Sequence, residues 1–246
     1  MKTRNRDTRV GCAAAFVVLS LLTFGGQARA DIALMDIGRA GTASPAAENI
    51  NNIIFDHTGG VIARDSGVIG LMNSAGQATD WSVQISGLQI LAGGGGADIV
   101  NLVLTGDALD LANTYHVNAW KDSIATYDDV VVSLTGLDDA ELYNLQFFGS
   151  RLNRDVNMVW SITKGSGGAD VTYGSLNTSE VVDWSNISTD GNGEIEVTLS
   201  LDGFIAGNQT IGAMNFASIE VVPEPGTIGL SVAGIGALFL FRRMSS

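Results

Sequence analysis

The chain holds two histidines, His57 and His116, and one cysteine, Cys12. Nucleophilic and general-base chemistry near neutral pH leans on those side chains. A Ser-His-Asp triad would have to be assembled from serines that no motif marks. Gly229-Leu230-Ser231-Val232-Ala233 carries only part of a nucleophile-elbow pattern and falls inside an apolar run. Ser161-Ile162-Thr163-Lys164 has Ser-x-x-Lys spacing, but in strand-forming sequence and not at a helix start. A glycosidase-type pair of carboxylates could be drawn from many acids, yet no pair stands out. A secreted hydrolase is therefore the least favoured class, and the chain is not expected to be an enzyme.

Hard-cation binding has better material. Gly93 to Asp98 fits one copy of the glycine-aspartate Ca²⁺ nonapeptide, which needs stacked copies to close its ligand shell. Asp128-Asp129 and Asp138-Asp139 are paired carboxylates near strand starts, of the oxygen type Ca²⁺ takes. Asp98, Asp128, Asp129, Asp138 and Asp139 are the candidates for a structural Ca²⁺; a flexible glycine loop is the simpler account of the first and solvated turns of the two pairs. No His/Cys cluster offers a zinc site, and no other cofactor is expected.

Sugar recognition wants aromatic platforms beside polar groups. Trp81, Trp160 and Tyr143 fall within strands, where packing is the better account. Trp120, Tyr127 and Trp184 fall near expected loops. With Arg151 and Arg154 they are the candidates for a glycan site at a loop end.

Charge narrows the partners. From Asp31 to Pro225 there are 25 Asp and Glu against 6 Lys and Arg, a net of −19. Such a surface repels nucleic acid and anionic membrane. The same stretch has no cysteine, so disulfides do not stabilise it.

The elements that would position these residues read as strands. Glycine is abundant, proline almost absent, and Val, Ile, Thr and Leu recur in short runs. Strands are expected at 32–37, 49–55, within 61–71, at 81–91, 99–104, 130–137, 141–149, 156–163, 194–201 and 211–221. A bulge is expected at Gly87, a loop at 92–97, and a short helix or irregular loop at 107–120. Leu137 to Ala140 and Thr189 to Gly193 carry turn chemistry. About ten strands without helices between them predict an all-β chain, a single antiparallel β-sandwich or jelly roll over 31–221.

Both ends read as targeting segments. Lys2, Arg4, Arg6 and Arg9 precede an apolar run from Ala13 to Phe24, then Ala28-Arg29-Ala30. That is the pattern of a signal peptide over 1–30, with Ala28 and Ala30 at the cleavage site. At the other end Val222-Pro223-Glu224-Pro225-Gly226 leads into an uncharged run from Ile228 to Phe241, closed by Arg242-Arg243. A helix there, from Gly226, would reach about 24 Å, short of a hydrocarbon core of about 30 Å, and the arginines can snorkel to make up part of the deficit. Their charge favours the cytoplasmic side, which puts the body outside.

The tail resembles the PEP-CTERM sorting signal of Gram-negative bacteria. The resemblance covers 222–246 and implies an exosortase, a membrane-embedded transpeptidase-like enzyme, as partner and processor. A second resemblance spans the body. Leu142-Tyr143-Asn144-Leu145-Gln146-Phe147-Phe148-Gly149-Ser150-Arg151 is similar to a strand of galactose-binding-like β-sandwich modules in secreted proteins. Leu134 to Asp138 and Asp190 to Leu199 are similar to flanking segments of those modules, and Ala213 to Ile219 matches more loosely, with Met214 at the start of the dipeptide. This implies a jelly-roll fold in a surface or glycan-associated setting and transfers no ligand.

The expected role is structural or adhesive. An exported protein would pass through the inner membrane, be sorted by exosortase, and reach the cell surface or extracellular polysaccharide matrix. A carbohydrate-binding module is the alternative.

Overall fold

The computed structural model describes residues 31–39, 49–55, 65–87, 103–115, 124–126, 128–150, 156–202 and 212–222. Strands β1 (Ile32–Arg39), β2 (Ile50–Phe55), β7 (Tyr143–Phe148), β10 (Val182–Ile187) and β13 (Phe216–Val221) form one sheet in the order β10-β7-β13-β1-β2. Strands β3 (Ile69–Met72), β4 (Ala78–Ser86), β6 (Val130–Thr135), β8 (Asn157–Lys164), β9 (Val171–Gly174) and β11 (Ile195–Asp202) form a second, in the order β3-β4-β6-β11-β8-β9. Strands β5 (Ile124–Thr126) and β12 (Gly212–Met214) pair separately, and helix α1 spans Gly106–Tyr115.

Alternation decides how the sheets meet. In β6 the side chains of Val130, Val132 and Leu134 are buried, while Val131, Ser133 and Thr135 are half-exposed. In β11 Ile195, Val197 and Leu199 are buried and Glu196, Thr198 and Ser200 are not. The period of two puts each apolar set on one face. Those faces join Ala33, Met35, Ile37, Tyr143, Leu145, Phe147, Ala217 and Ile219 of the first sheet in one hydrophobic cluster. The arrangement is a sandwich-like, mostly antiparallel all-β fold.

The first sheet is buried on its other face as well. Leu34, Ile50, Phe148 and Phe216 point outward from it and pack beneath Ala108, Leu111 and Ala112 of α1. This explains why Phe147 and Phe148, adjacent in the chain, are both fully buried: one faces the second sheet and one faces the helix.

Four features depart from the sequence expectations. The β1–β2 pair is parallel, with Leu34 opposite Ile50 and Arg39 opposite Phe55. Strands β9 and β10 occupy sequence that had suggested no strand. The strand expected at 99–104 is absent at Val103 and Leu104, its other residues lying outside the described set. The long strand at 211–221 is broken at Asn215, where β12 ends and β13 begins.

Two side chains close the structure where strands cannot. The amide of Asn51 in β2 donates to Met72 O at 2.8 Å and accepts from Met72 N at 2.8 Å, and it also donates to Leu34 O at 2.9 Å. It thereby ties edge strand β2 of one sheet to edge strand β3 of the other. Asp139 links two turns: its Oδ1 accepts from Gly193 N at 2.7 Å and from Thr189 Oγ1 at 2.5 Å. Gly193 has φ of +71°, and a Cβ there would lie 2.6 Å from Leu137 O, so glycine is required at that contact.

Candidate functional site

Helix α1 brings one stripe of its surface to the outer face of the first sheet. Asp107, Asp110, Leu111, Thr114 and Tyr115 follow i, i+3, i+4, i+7, i+8 spacing and therefore share a face. Together with Gln146 of β7, Asp183 of β10 and the neighbouring Val181 they line a groove of about 290 Å³. Gln146 and Asp183 lie opposite each other in the β7–β10 register.

Local sequence explains why the helix stands there. Thr105 N, just before the helix, donates to Thr178 O at 2.8 Å and Ala108 N in its first turn to Ser179 O at 3.1 Å, so the connection before β10 anchors the start of α1. Asp107 in the first turn complements the helix dipole. Ala108 and Ala112 are small enough to let the helix sit close over Phe148 and Phe216. The Tyr115 ring stacks on Phe216, with centroids 6.1 Å apart and planes 20° from parallel. That contact holds the aromatic in place. Burial, and secondarily the charge of Glu220, raises the Tyr115 hydroxyl above its ordinary value, so it remains a neutral donor at physiological pH.

Chemically the groove offers many acceptors and few donors. Three carboxylates, the Gln146 carbonyl and two hydroxyls can accept hydrogen bonds, and among the described residues no Lys, Arg or His lines it. Such a set suits a ligand with several hydroxyl or amino groups, with Leu111, Val181 and Tyr115 for its apolar edge. Sequence reasoning had not assembled this group. The i, i+3 aspartates were visible, but with a short helix and an irregular loop both open for 107–120 they had no settled common face, and Gln146 and Asp183 join them only through sheet pairing.

Of the glycan candidates expected from sequence, Trp184 is corrected. It is not on a loop but in β10, only 4% exposed, with its ring edge-on to Phe147 at 6.1 Å. Its Nε1 donates to Ala169 O at 2.8 Å, which satisfies its polar atom within the fold. A buried, hydrogen-bonded indole offers no platform to a sugar. Trp120, Tyr127, Arg151 and Arg154 lie outside the described residues, as do both targeting segments: the cleavage-site residues Ala28 and Ala30, and Pro223, Glu224, Pro225, Gly226, Arg242 and Arg243 of the tail. Trp81, Trp160 and Tyr143 belong to the core.

Among the Ca²⁺ candidates, Asp98 lies outside the described residues. Asp138 accepts from Ala140 N at 2.9 Å, Asp139 makes the turn link described above, and Asp128 accepts from Asp129 N at 3.1 Å. These oxygens serve turn geometry. Among the described residues no three His, Cys, Asp or Glu side chains gather round a common point. No helix among them is long and apolar enough to cross a membrane.

Comparison with known proteins adds no relative. No family model matches the chain, and no curated protein matches it.

Proposed function

We propose that the chain is an exported surface protein of a Gram-negative bacterium, sorted through its tail by an exosortase and structural or adhesive in the polysaccharide matrix. The observation that carries this is the order of parts at the C-terminus: Val222-Pro223-Glu224-Pro225-Gly226, an uncharged run, then Arg242-Arg243. The fold is compatible with that role. Val222 N still donates to Leu142 O at 2.8 Å, so the body remains ordered up to the residue where the motif begins. A jelly-roll sandwich of the galactose-binding-like kind is the finer reading of the body.

The test is fractionation of cells that carry an exosortase. The wild-type chain is expected outside the cell or on its surface in a form lacking the tail. A Pro223→Ala/Glu224→Ala double variant is expected to stay in the inner membrane at full length. Recovery of the intact wild-type polypeptide from cytosol would end the proposal.

The groove favours a second reading, a carbohydrate-binding module. Its acceptor-rich lining, and the net charge of the body, point to a neutral or amino-bearing polysaccharide and away from an anionic one. Residues Asp31–Val222 form a compact unit of their own and can be used for a pull-down. Binding that falls on Asp110→Asn with Gln146→Ala supports this reading. Binding that those changes leave untouched moves the site elsewhere.

A further inference from the structure

An Asn-Gly pair is where a backbone most readily attacks its own side chain, because glycine has no Cβ to obstruct the approach. The sequence contains one such pair, Asn192-Gly193. It lies in the turn between β10 and β11, with Asn192 exposed and Gly193 buried. In the reaction the Gly193 nitrogen gives up its proton and bonds to Asn192 Cγ. The Cγ–Nδ2 bond breaks, and the side-chain amide leaves as ammonia with that proton. Water then opens the cyclic imide at either carbonyl, giving aspartate or isoaspartate.

The fold occupies both reacting groups. Gly193 N, the attacking atom, donates to Asp139 Oδ1 at 2.7 Å. Thr189 Oγ1 donates to the same oxygen at 2.5 Å and fixes its place. The Gly193 carbonyl accepts from Leu137 N at 3.1 Å. The β6–β7 turn therefore grips Gly193 through both its backbone polar groups. The leaving amide is held too: Asn192 Nδ2 donates to Asp190 Oδ2 at 3.2 Å, and Asn192 N to Asp190 Oδ1 at 2.9 Å. Those bonds, the backbone one first, lower the Asp190 carboxyl below its ordinary value, so it stays charged. A carboxylate 2.7 Å from Gly193 N holds the proton that has to leave and repels the negative charge that would remain.

We propose that Asn192 is a latent deamidation site and that Asp139 is the positioning residue that keeps it closed. Conversion requires the β6–β7 turn to release the β10–β11 turn, a local opening and not global unfolding. The change also resists reversal. The imide nitrogen carries no hydrogen, so the Asp139 bond is lost while the imide lasts. Hydrolysis to aspartate replaces the Asn192 amide, a donor to Asp190, by a carboxylate facing it, and like charges then oppose the original turn. The site is independent of the sorting and carbohydrate readings.

The experiment incubates the purified full chain in warm, mildly alkaline buffer beside a synthetic Ser188–Ile195 peptide. Peptide mapping by mass spectrometry follows the conversion of amide to acid at residue 192. The folded wild type is expected to convert at least about tenfold more slowly than the peptide, the factor that one charge-assisted hydrogen bond supplies. Asp139→Ala, shown to be folded by a cooperative circular dichroism melt, is expected to approach the peptide's rate. A wild type as fast as the peptide overturns the closed site, and a faster one would make Asp139 a base and not a guard. A folded Asp139→Ala as slow as the wild type overturns the role of Asp139. Where that variant does not fold, hydrogen exchange of the wild type decides. The Gly193 amide is expected to be protected, and to lose protection in step with Asn192 conversion as urea is raised below the unfolding transition. Exchange at the peptide's rate, or conversion that does not follow it, overturns the link.

Discussion

Asn215 shows what one buried amide can hold together. Its Oδ1 accepts the Ser150 backbone N–H at 2.7 Å in a fully buried setting, just after Phe147-Phe148-Gly149. Asn215→Ala leaves that donor without its partner and is expected to cost about 1–3 kcal/mol, read as a lowered Tm; an unchanged Tm would show that the bond is dispensable. Tyr173 carries a second prediction. It packs near Trp160, with ring centroids 6.4 Å apart, and burial raises its hydroxyl far above the ordinary tyrosine value, while the Gly149 amide and the Trp160 indole pull weakly the other way. In the unfolded chain the group ionises near its usual pKa of about 10; in the folded chain it stays neutral. The folded state therefore binds more protons above that pH, and stability is lost as pH rises past about 10. Denaturation between pH 9 and 11 should be steeper for the wild type than for Tyr173→Phe, and identical slopes would refute it. Tyr143 at a core position was legible from alternation alone. Trp184 was not: Val182 and Trp184 alternate inward, but β10 is bulged between Trp184 and Ile187, and Asn186 has φ of +59°. The irregularity hid the strand, and with it the burial of the indole.

At the scale of elements, β13 is the keystone. It pairs with β1 on one side and β7 on the other, and it contributes Phe216 to one apolar cluster and Ala217 and Ile219 to the other. The first strand of the body therefore cannot complete its sheet until the last one arrives, a long loop closure before the contacts that reward it. A chain ending at Met214 is expected to be insoluble or unfolded by circular dichroism, whereas one ending at Val222 keeps the strand spectrum and a cooperative melt. A folded shorter chain would mean that β13 is not essential. Strands β4, β6, β8 and β11 were readable because each has one face in the core and one toward solvent, and β7 because buried Tyr143, Leu145 and Phe147 alternate with half-buried Asn144 and Gln146. Helix α1 was harder to see. Its buried residues are mostly alanines, and Asp107, Asp110 and Thr114 share the stripe of buried Leu111, so its apolar signal is weak even though its packing is close. The parallel β1–β2 pair was equally hidden, since a strand's own pattern does not record the direction of its neighbour.

At the scale of the molecule, charge sets behaviour in solution. A body with a net of −18 over Asp31–Val222 repels itself, and salt screens that repulsion over a Debye length of about 10 Å at 0.1 M and ~3 Å at 1 M. The Tm of the Asp31–Val222 body should rise as NaCl is added from low ionic strength and then level off; a steady fall would mean that attractive pairs dominate. Lys164, held by Glu194 at 3.0 Å and Glu196 at 3.3 Å, is the ion-paired lysine among the described residues. Its pairs are too exposed to offset the general repulsion. By itself the sequence determined the strand-rich class, the acidic surface, the absence of disulfides in the body and the motifs at both termini, because composition, period and order along the chain are local properties. Only the tertiary structure decided that α1 and β10 enclose a groove, that Trp184 is core, and that Asp31 and Val222 share one end of the sandwich. Those facts depend on which strands become neighbours, a choice made by burial across residues far apart in the chain.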